Sequence, residues 1–179
     1  MKDALTIHRA LLGWETAHEI VRLRLAMSRA DELPRALGLP PERCLVTRVY
    51  SCDGAHHGRP FLAGAIVPAG RRPSTEAVRL GVGARGVRPA HADVVNAVTE
   101  YAAGLVCPLL LPESMPLLID RGLVDGLHAH GVVYTATGEA STALGIKASA
   151  LYSLCHPKPV DLLAPLSAAS APGRDHVTT

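Results

Sequence analysis

The chain has 179 residues, 48% of them hydrophobic and 19% charged, with 18 basic against 16 acidic side chains. That length suits one domain of about 100–200 residues, and the composition excludes disordered and fibrous classes. A net charge of +2 is too mild for a protein that coats nucleic acid. Only three basic residues are lysines, Lys2, Lys147 and Lys158, and the rest are arginines, the better bidentate anion forks. Six aromatic residues leave a core of Leu, Val and Ala and no large stacking platform for single strands. The four cysteines, Cys44, Cys52, Cys107 and Cys155, form no C-x-x-C pair, so neither a zinc signature nor a disulfide framework is expected. The charged N-terminus reads as no signal peptide. The apolar stretch 105–119 is broken by Pro108, Pro112 and Pro116, which excludes a membrane helix there. These features predict a cytoplasmic, reducing setting and no membrane partner.

Residues 3–12 read as a helix stopped by Gly13. Residues 15–25 alternate polar and apolar and read as a strand. Residues 28–37 follow as a helix with Ser28 as N-cap, Pro34 in its first turn and Gly38 at its end. Residues 44–52 and 61–67, rich in β-branched side chains, predict a hairpin across a long loop. Pro73 and Ser74 open a helix that runs to Leu80, and Gly81, Gly83 and Gly86 mark a loop. A helix is predicted over 90–98 and a loop over 99–108. Short strands are predicted over 109–111, 117–119, 132–136 and 142–146, and a last helix over 148–155. Beyond Cys155, prolines alternate with Ser and Ala, predicting a flexible segment over 156–179 after a domain over 1–155. Interleaved short strands and helices indicate a mixed α/β or α+β sheet domain. No G-x-G-x-x-G or P-loop is present. The pairs His56–His57 and His128–x–His130 lack a third metal ligand at helical spacing.

Four segments in order carry a resemblance. They are 37–42 (L-G-L-P-P-E) leading to Thr47; 99–108 (T-E-Y-A-A-G-L-V-C-P), with its G-x-x-x-P loop; 115–120 (M-P-L-L-I-D); and 132–138 (V-V-Y-T-A-T-G), followed by Leu144, Ile146 and Leu151. Together the chain resembles the YbaK/ProX family of aminoacyl-tRNA deacylases, relatives of the editing insertion of bacterial prolyl-tRNA synthetases. The resemblance implies a mixed sheet curled into a partial barrel and flanked by helices. It implies hydrolysis of the ester between a wrong amino acid and the 3′ end of tRNA, with cysteinyl- or alanyl-tRNA(Pro) as the expected substrates. It implies no metal and no cofactor. The implied partners are the aminoacyl-tRNA end and a synthetase, with the chain a monomer or weak oligomer.

Such chemistry needs a positioned water, an oxyanion stabiliser and a docked RNA end. The loop from Gly104 to Pro108, with Cys107 inside it, is read as the oxyanion loop, because glycine permits close backbone approach and proline fixes the exit. Nothing next to Cys107 in sequence lowers its pKa. The resemblance places a lysine just before Thr47; here that residue is Val46. Arg48, two residues on and on the same strand face, is expected to supply the charge. The catalytic set expected is therefore Gly104, Cys107, Pro108 and Arg48, and the substrate-binding set His18, Thr47, Asp120 and Gly138. The arginines 71, 72, 79, 85 and 88 are candidates for following RNA phosphates. The missing lysine motivates the alternative, a non-catalytic module that binds tRNA ends, aminoacyl adducts or a synthetase.

Overall fold

The computed structural model describes residues 1–55, 58–126 and 131–163. Six α-helices and eight strands are found among them: α1 (Ala4–Gly13), β1 (His18–Arg22), α2 (Leu33–Leu37), β2 (Cys44–Asp53), β3 (Phe61–Pro68), α3 (Thr75–Val82), β4 (Gly86–Pro89), α4 (Ala92–Thr99), β5 (Leu117–Asp120), α5 (Arg121–Gly126), β6 (Val132–Ala136), β7 (Thr142–Lys147), α6 (Ala148–Cys155) and β8 (Lys158–Val160). The strands form one open mixed sheet in the order β1-β7-β6-β2-β3-β5-β8, with β4 added to β2. This is the mixed sheet with short flanking helices that the sequence predicts.

β2 organises the sheet. One edge pairs antiparallel with β3 along its length, from Leu45 opposite Pro68 to Cys52 opposite Phe61. The other edge serves two partners: Cys44 and Leu45 pair with β6 in parallel, and Tyr50 to Asp53 pair with β4 antiparallel. On that edge Val46, Thr47, Arg48 and Val49 lie between the two pairings with no strand beside them. The largest core cluster holds Ile7 and Leu11 of α1, Ile66, Tyr101, Ile119, Leu144 and Leu151. A second packs Tyr50, Ala63, Ala65 and Val67 against Val78 of α3 and Leu162. Burying a side chain of this kind contributes roughly 1.5–3 kcal/mol.

Local chemistry explains the ends of the elements. Asp3 caps α1 by accepting from the Thr6 N–H at 2.8 Å, and Ser74 caps α3. Gly38, at φ 64°, ends α2 in the left-handed region. The helix predicted over 28–37 is a 3-10 turn, Ala30–Glu32, running into α2. Ser28 is not its acceptor cap; Ser28 Oγ instead donates to Glu32 Oε1 at 2.7 Å, and Glu32 also takes the Ser28 and Arg29 amides. Residues 109–111 form no strand. Pro108 and Pro112 bracket them, Leu110 takes φ 58°, and the carbonyls of Leu109 and Leu110 accept from Tyr101 Oη and Lys2 Nζ. β4, α5 and β8 are additional elements. β8 adds residues beyond Cys155 to the packed unit: it pairs with β5, and Leu162 is fully buried. No described helix is long and apolar enough to cross a membrane. His56, His57, His128 and His130 and the segment 164–179 lie outside the described residues.

Candidate functional site

The unpaired stretch of β2 opens into a slot of about 190 Å³. Its apolar wall includes Val46, Val49, Val95 and Val106, and its polar wall Arg29, Asp31, Thr47, Arg48 and Arg72. The loop carrying Ala103 and Gly104 closes one side, and Ala92 at the start of α4 lies on another. Gly104 sits at φ 84°, where an added Cβ would lie 3.3 Å from the Ser28 carbonyl oxygen. Only glycine takes this turn without strain. The loop is pinned at both ends: the Ala30 amide donates to the Gly104 carbonyl at 2.8 Å, and the Ala103 amide to Asn96 Oδ1 at 2.7 Å. The Gly104 amide has no protein partner among the described residues.

Arg48 is 11% exposed, and its guanidinium is committed. Nη2 and Nη1 donate to the two oxygens of Asp31 at 2.7 and 3.1 Å. Nε and Nη2 donate to the Arg71 carbonyl at 2.9 and 2.6 Å. Asp31 also accepts from the Gly70 amide at 2.8 Å. Burial pushes the Asp31 carboxyl up, but the Arg48 fork and the Gly70 amide outweigh it and hold the group below its ordinary value. Arg48 thus ties β2, the 3-10 turn and the 70–72 turn together, and its charge is largely matched. Arg72 is exposed and forms no side-chain hydrogen bond or ion pair among the described residues. Arg29 stands 3.7 Å from Asp31 and is 55% exposed. Three arginines against one aspartate leave the slot wall with a positive surplus. Thr47 is 6% exposed, and its buried hydroxyl has no hydrogen-bond partner among the described residues, a feature that calls for an explanation in a native fold.

The sequence profile of the aminoacyl-tRNA editing domain matches residues 26–152, well over half of the chain. This chain belongs to the aminoacyl-tRNA editing domain family. No curated protein sequence matches it significantly. Its fold is that of several solved structures. A protein proposed to be a trans-editing enzyme for prolyl-tRNA synthetase superposes with a TM-score of 0.67 at 20% identity, over 83% of this chain and 87% of that one. The hypothetical protein APE2540 superposes at 0.71 with 18% identity, covering 88% and 99%. A scaffold protein from a computational epitope-grafting study gives 0.72 and 21%, covering 89% and 96%.

In this editing-domain chain Arg48, Thr47 and Gly104 meet at the slot, and the other expected site residues lie elsewhere. Cys107 is fully buried in the main core; burial pushes its thiol up to about 12, so it is placed as a packing residue. Pro108 is buried beside it and is absent from the slot wall. His18 lies on the outermost strand, β1. Its Nδ1 donates to the Thr16 carbonyl at 2.7 Å, which leaves Nε2 to accept from His8 Nδ1 at 2.8 Å. Asp120 accepts the amides of Leu162, Leu163 and Gly122, fastening the chain after β8. Gly138, at φ 94°, lets the β6–β7 turn lie against the Lys2 carbonyl and the Tyr101 ring. Arg29, Asp31 and the Val95 wall were not in the sequence-derived set. Their segments carry no motif and reach the slot only through the tertiary fold. In sequence Arg72 stands out only as one of the arginines 71, 72, 79, 85 and 88. Among the described residues no group of three His, Cys, Asp or Glu side chains is placed to hold a metal ion.

Proposed function

We propose that this chain is a trans-acting aminoacyl-tRNA deacylase, hydrolysing the ester of mischarged tRNA with alanyl- or cysteinyl-tRNA(Pro) as the preferred substrates. The observation that carries this reading is the slot on the unpaired edge of β2, within the matched editing domain. At about 190 Å³ it falls below the roughly 300–1,000 Å³ of drug-sized sites, a size suited to a small aminoacyl group. A synthetase pocket rejects a smaller side chain by only about 1–3 kcal/mol. A second, smaller site that destroys the wrong ester supplies the missing discrimination.

In this reading the aminoacyl side chain packs against Val46, Val49 and Val106. The Gly104 amide, free and held in place by its neighbours, donates to the carbonyl oxygen as negative charge develops on it. Thr47 Oγ orients the attacking water. Water adds to the carbonyl carbon, the bond from that carbon to the ribose oxygen breaks, and the ribose oxygen takes a proton. Asp31 is the only carboxylate on the wall among the described residues and is held by Arg48, so the rate rests on orientation and oxyanion stabilisation. Arg72 and Arg29 face the terminal phosphate, the work the resemblance gives to a lysine at Val46. Arg48 acts as a positioning residue.

The test is a deacylation time course on a panel of 3′-labelled aminoacyl-tRNAs. Release of alanine or cysteine from tRNA(Pro), with cognate prolyl-tRNA spared, is the expected result. No release from any member of the panel overturns the reading. Retained RNA binding in that case would identify the non-catalytic module, with Val46 as the reason.

A further inference from the structure

A hollow of about 660 Å³ shares three elements with the slot. The two are divided between neighbouring residues of three elements. Tyr50, Pro89 and Val95 face the slot, and Ser51, Arg88 and Val94 face the hollow. Ser51 and Arg88 are also a register pair of β2 and β4. The floor is apolar, with Phe61, Leu62, Met115, Val94 and Val98. Val94 and Val98 are 40% and 43% exposed and one helical turn apart on α4. That is apolar surface the described residues leave uncovered.

The rim is basic. Among the described residues, Arg59 and Arg88 are the only charged ones lining the hollow. Arg59 is exposed and makes no ion pair among the described residues. Arg88 is 61% exposed and rests against Asp53 at 3.4 Å, a pairing that holds little free energy in water. An apolar floor with cations at its border fits a chain of flat rings linked by anions. A single strand of RNA offers this pattern, with base faces for the floor and phosphates for the rim.

We propose that this hollow seats the last unpaired nucleotides of the RNA strand whose aminoacylated end enters the slot. Leu62, Val94 and Val98 pack against base faces, and Arg59 and Arg88 take the phosphates between them. The proposal rests on the deacylase reading of the slot. It adds a second contact that reads the strand and leaves the ester alone.

The test uses the intact protein and a 5′-labelled RNA hexanucleotide ending in CCA, with binding followed by fluorescence anisotropy at several salt concentrations. Native protein is compared with Arg59→Ala, Arg88→Ala and Val98→Asp, each checked for native-like thermal unfolding. Loss of either arginine should reduce the salt slope by about 0.7, and Val98→Asp should weaken binding roughly tenfold, in line with a lost base contact. In parallel, KM is measured for aminoacyl-tRNA and for a 3′-aminoacyl-adenosine too short to reach the hollow. The variants should raise KM for the first and leave the second unchanged. Native protein that does not bind the hexanucleotide, or variants that bind it as the native chain does, overturn the proposal. The second result is also what a protein-docking surface would give. Variant-sensitive RNA binding without hydrolysis of any aminoacyl ester would sink the deacylase reading and leave this one standing.

Discussion

Arg48 and Asp31 meet as a two-pronged pair, at 2.7 and 3.1 Å, across 17 residues of sequence. The pair joins β2 to the turn that backs the Gly104 loop. Removing the guanidinium strands a half-buried carboxylate and frees the Arg71 carbonyl. Arg48→Ala should therefore cost about 2–3 kcal/mol and lower Tm by roughly 5–10 °C, with activity falling alongside. The pH dependence separates this from a direct substrate role. The Asp31 carboxyl is held below its ordinary value, so its contribution is present above about pH 4 and is lost as pH falls through the lower folded value. In Arg48→Gln burial acts on Asp31 against only the Gly70 amide and the more distant Arg29. The Tm gap between native and variant should be widest at neutral pH and narrow on acidification, as calorimetry across pH 3–7 would show.

Gly104→Ala places a side chain where φ is 84° and the Ser28 carbonyl oxygen is 3.3 Å away. The left-handed conformation alone costs about 1–2 kcal/mol. The larger consequence is a shift of the Gly104 amide. We expect kcat for deacylation to fall at least tenfold, in the range seen when an oxyanion donor is lost (about 10²–10³), with KM little changed. A variant with native kcat would remove the amide from the reaction.

Cys107 makes the opposite prediction. Burial raises its thiol to about 12, and Cys155 likewise to about 12. Cys44 and Cys52 are raised to about 11. At pH 8 each carries thiolate at about one part in a thousand or less. Native protein should resist iodoacetamide, with four alkylations appearing only after unfolding. Cys107→Ala should keep kcat within about twofold while losing roughly 1–2 kcal/mol of stability through the small cavity it leaves. A dead Cys107→Ala variant with native Tm would reinstate the thiol in the chemistry.

Asp120 and Gly138 are expected to act on the fold alone. Asp120→Ala deprives the Leu162 and Leu163 amides of their acceptor and should cost about 2 kcal/mol. Limited proteolysis should then cut after β8 while kcat holds. Gly138→Ala drives a methyl into the Lys2 carbonyl and to 2.9 Å from the Tyr101 ring. It should lower stability by more than 3 kcal/mol, beyond the usual range for a surface turn. Chemical denaturation beside deacylation by the folded fraction distinguishes the two kinds of loss.

Much of the fold is legible in the sequence where periodicity is strong. The alternation in 44–52 and 61–67 marks β2 and β3, and Ser74 and Gly38 mark their helix ends by capping chemistry. The elements that escape are short and made by contact. β4 reads as a glycine loop until β2 pairs with it. β8 contains Pro159 and becomes a strand only beside β5. The site divides in the same way. Thr47, Arg48 and Gly104 lie in segments with a recognisable pattern and meet at the slot. Arg29 and Asp31 come from a turn with no motif and are brought there by the fold. His18, Cys107 and Asp120 have side chains suited to catalysis, and local pattern cannot tell a reactive group from one turned toward a backbone carbonyl, a core or an amide.

β2 lends one edge to two neighbours, and this makes cavity width a matter of register. The distance between the β6 and β4 arms is the number of β2 residues left between them, so it changes in steps of about 3.3 Å. Val46, Val49 and Val106 then trim the space in increments of a methyl group. A protein built this way has a coarse and a fine adjustment for the size of group it accepts. The coarse one moves when a flanking strand slides by a residue pair, the fine one when a single valine is exchanged, and neither disturbs the β2–β3 ladder beneath.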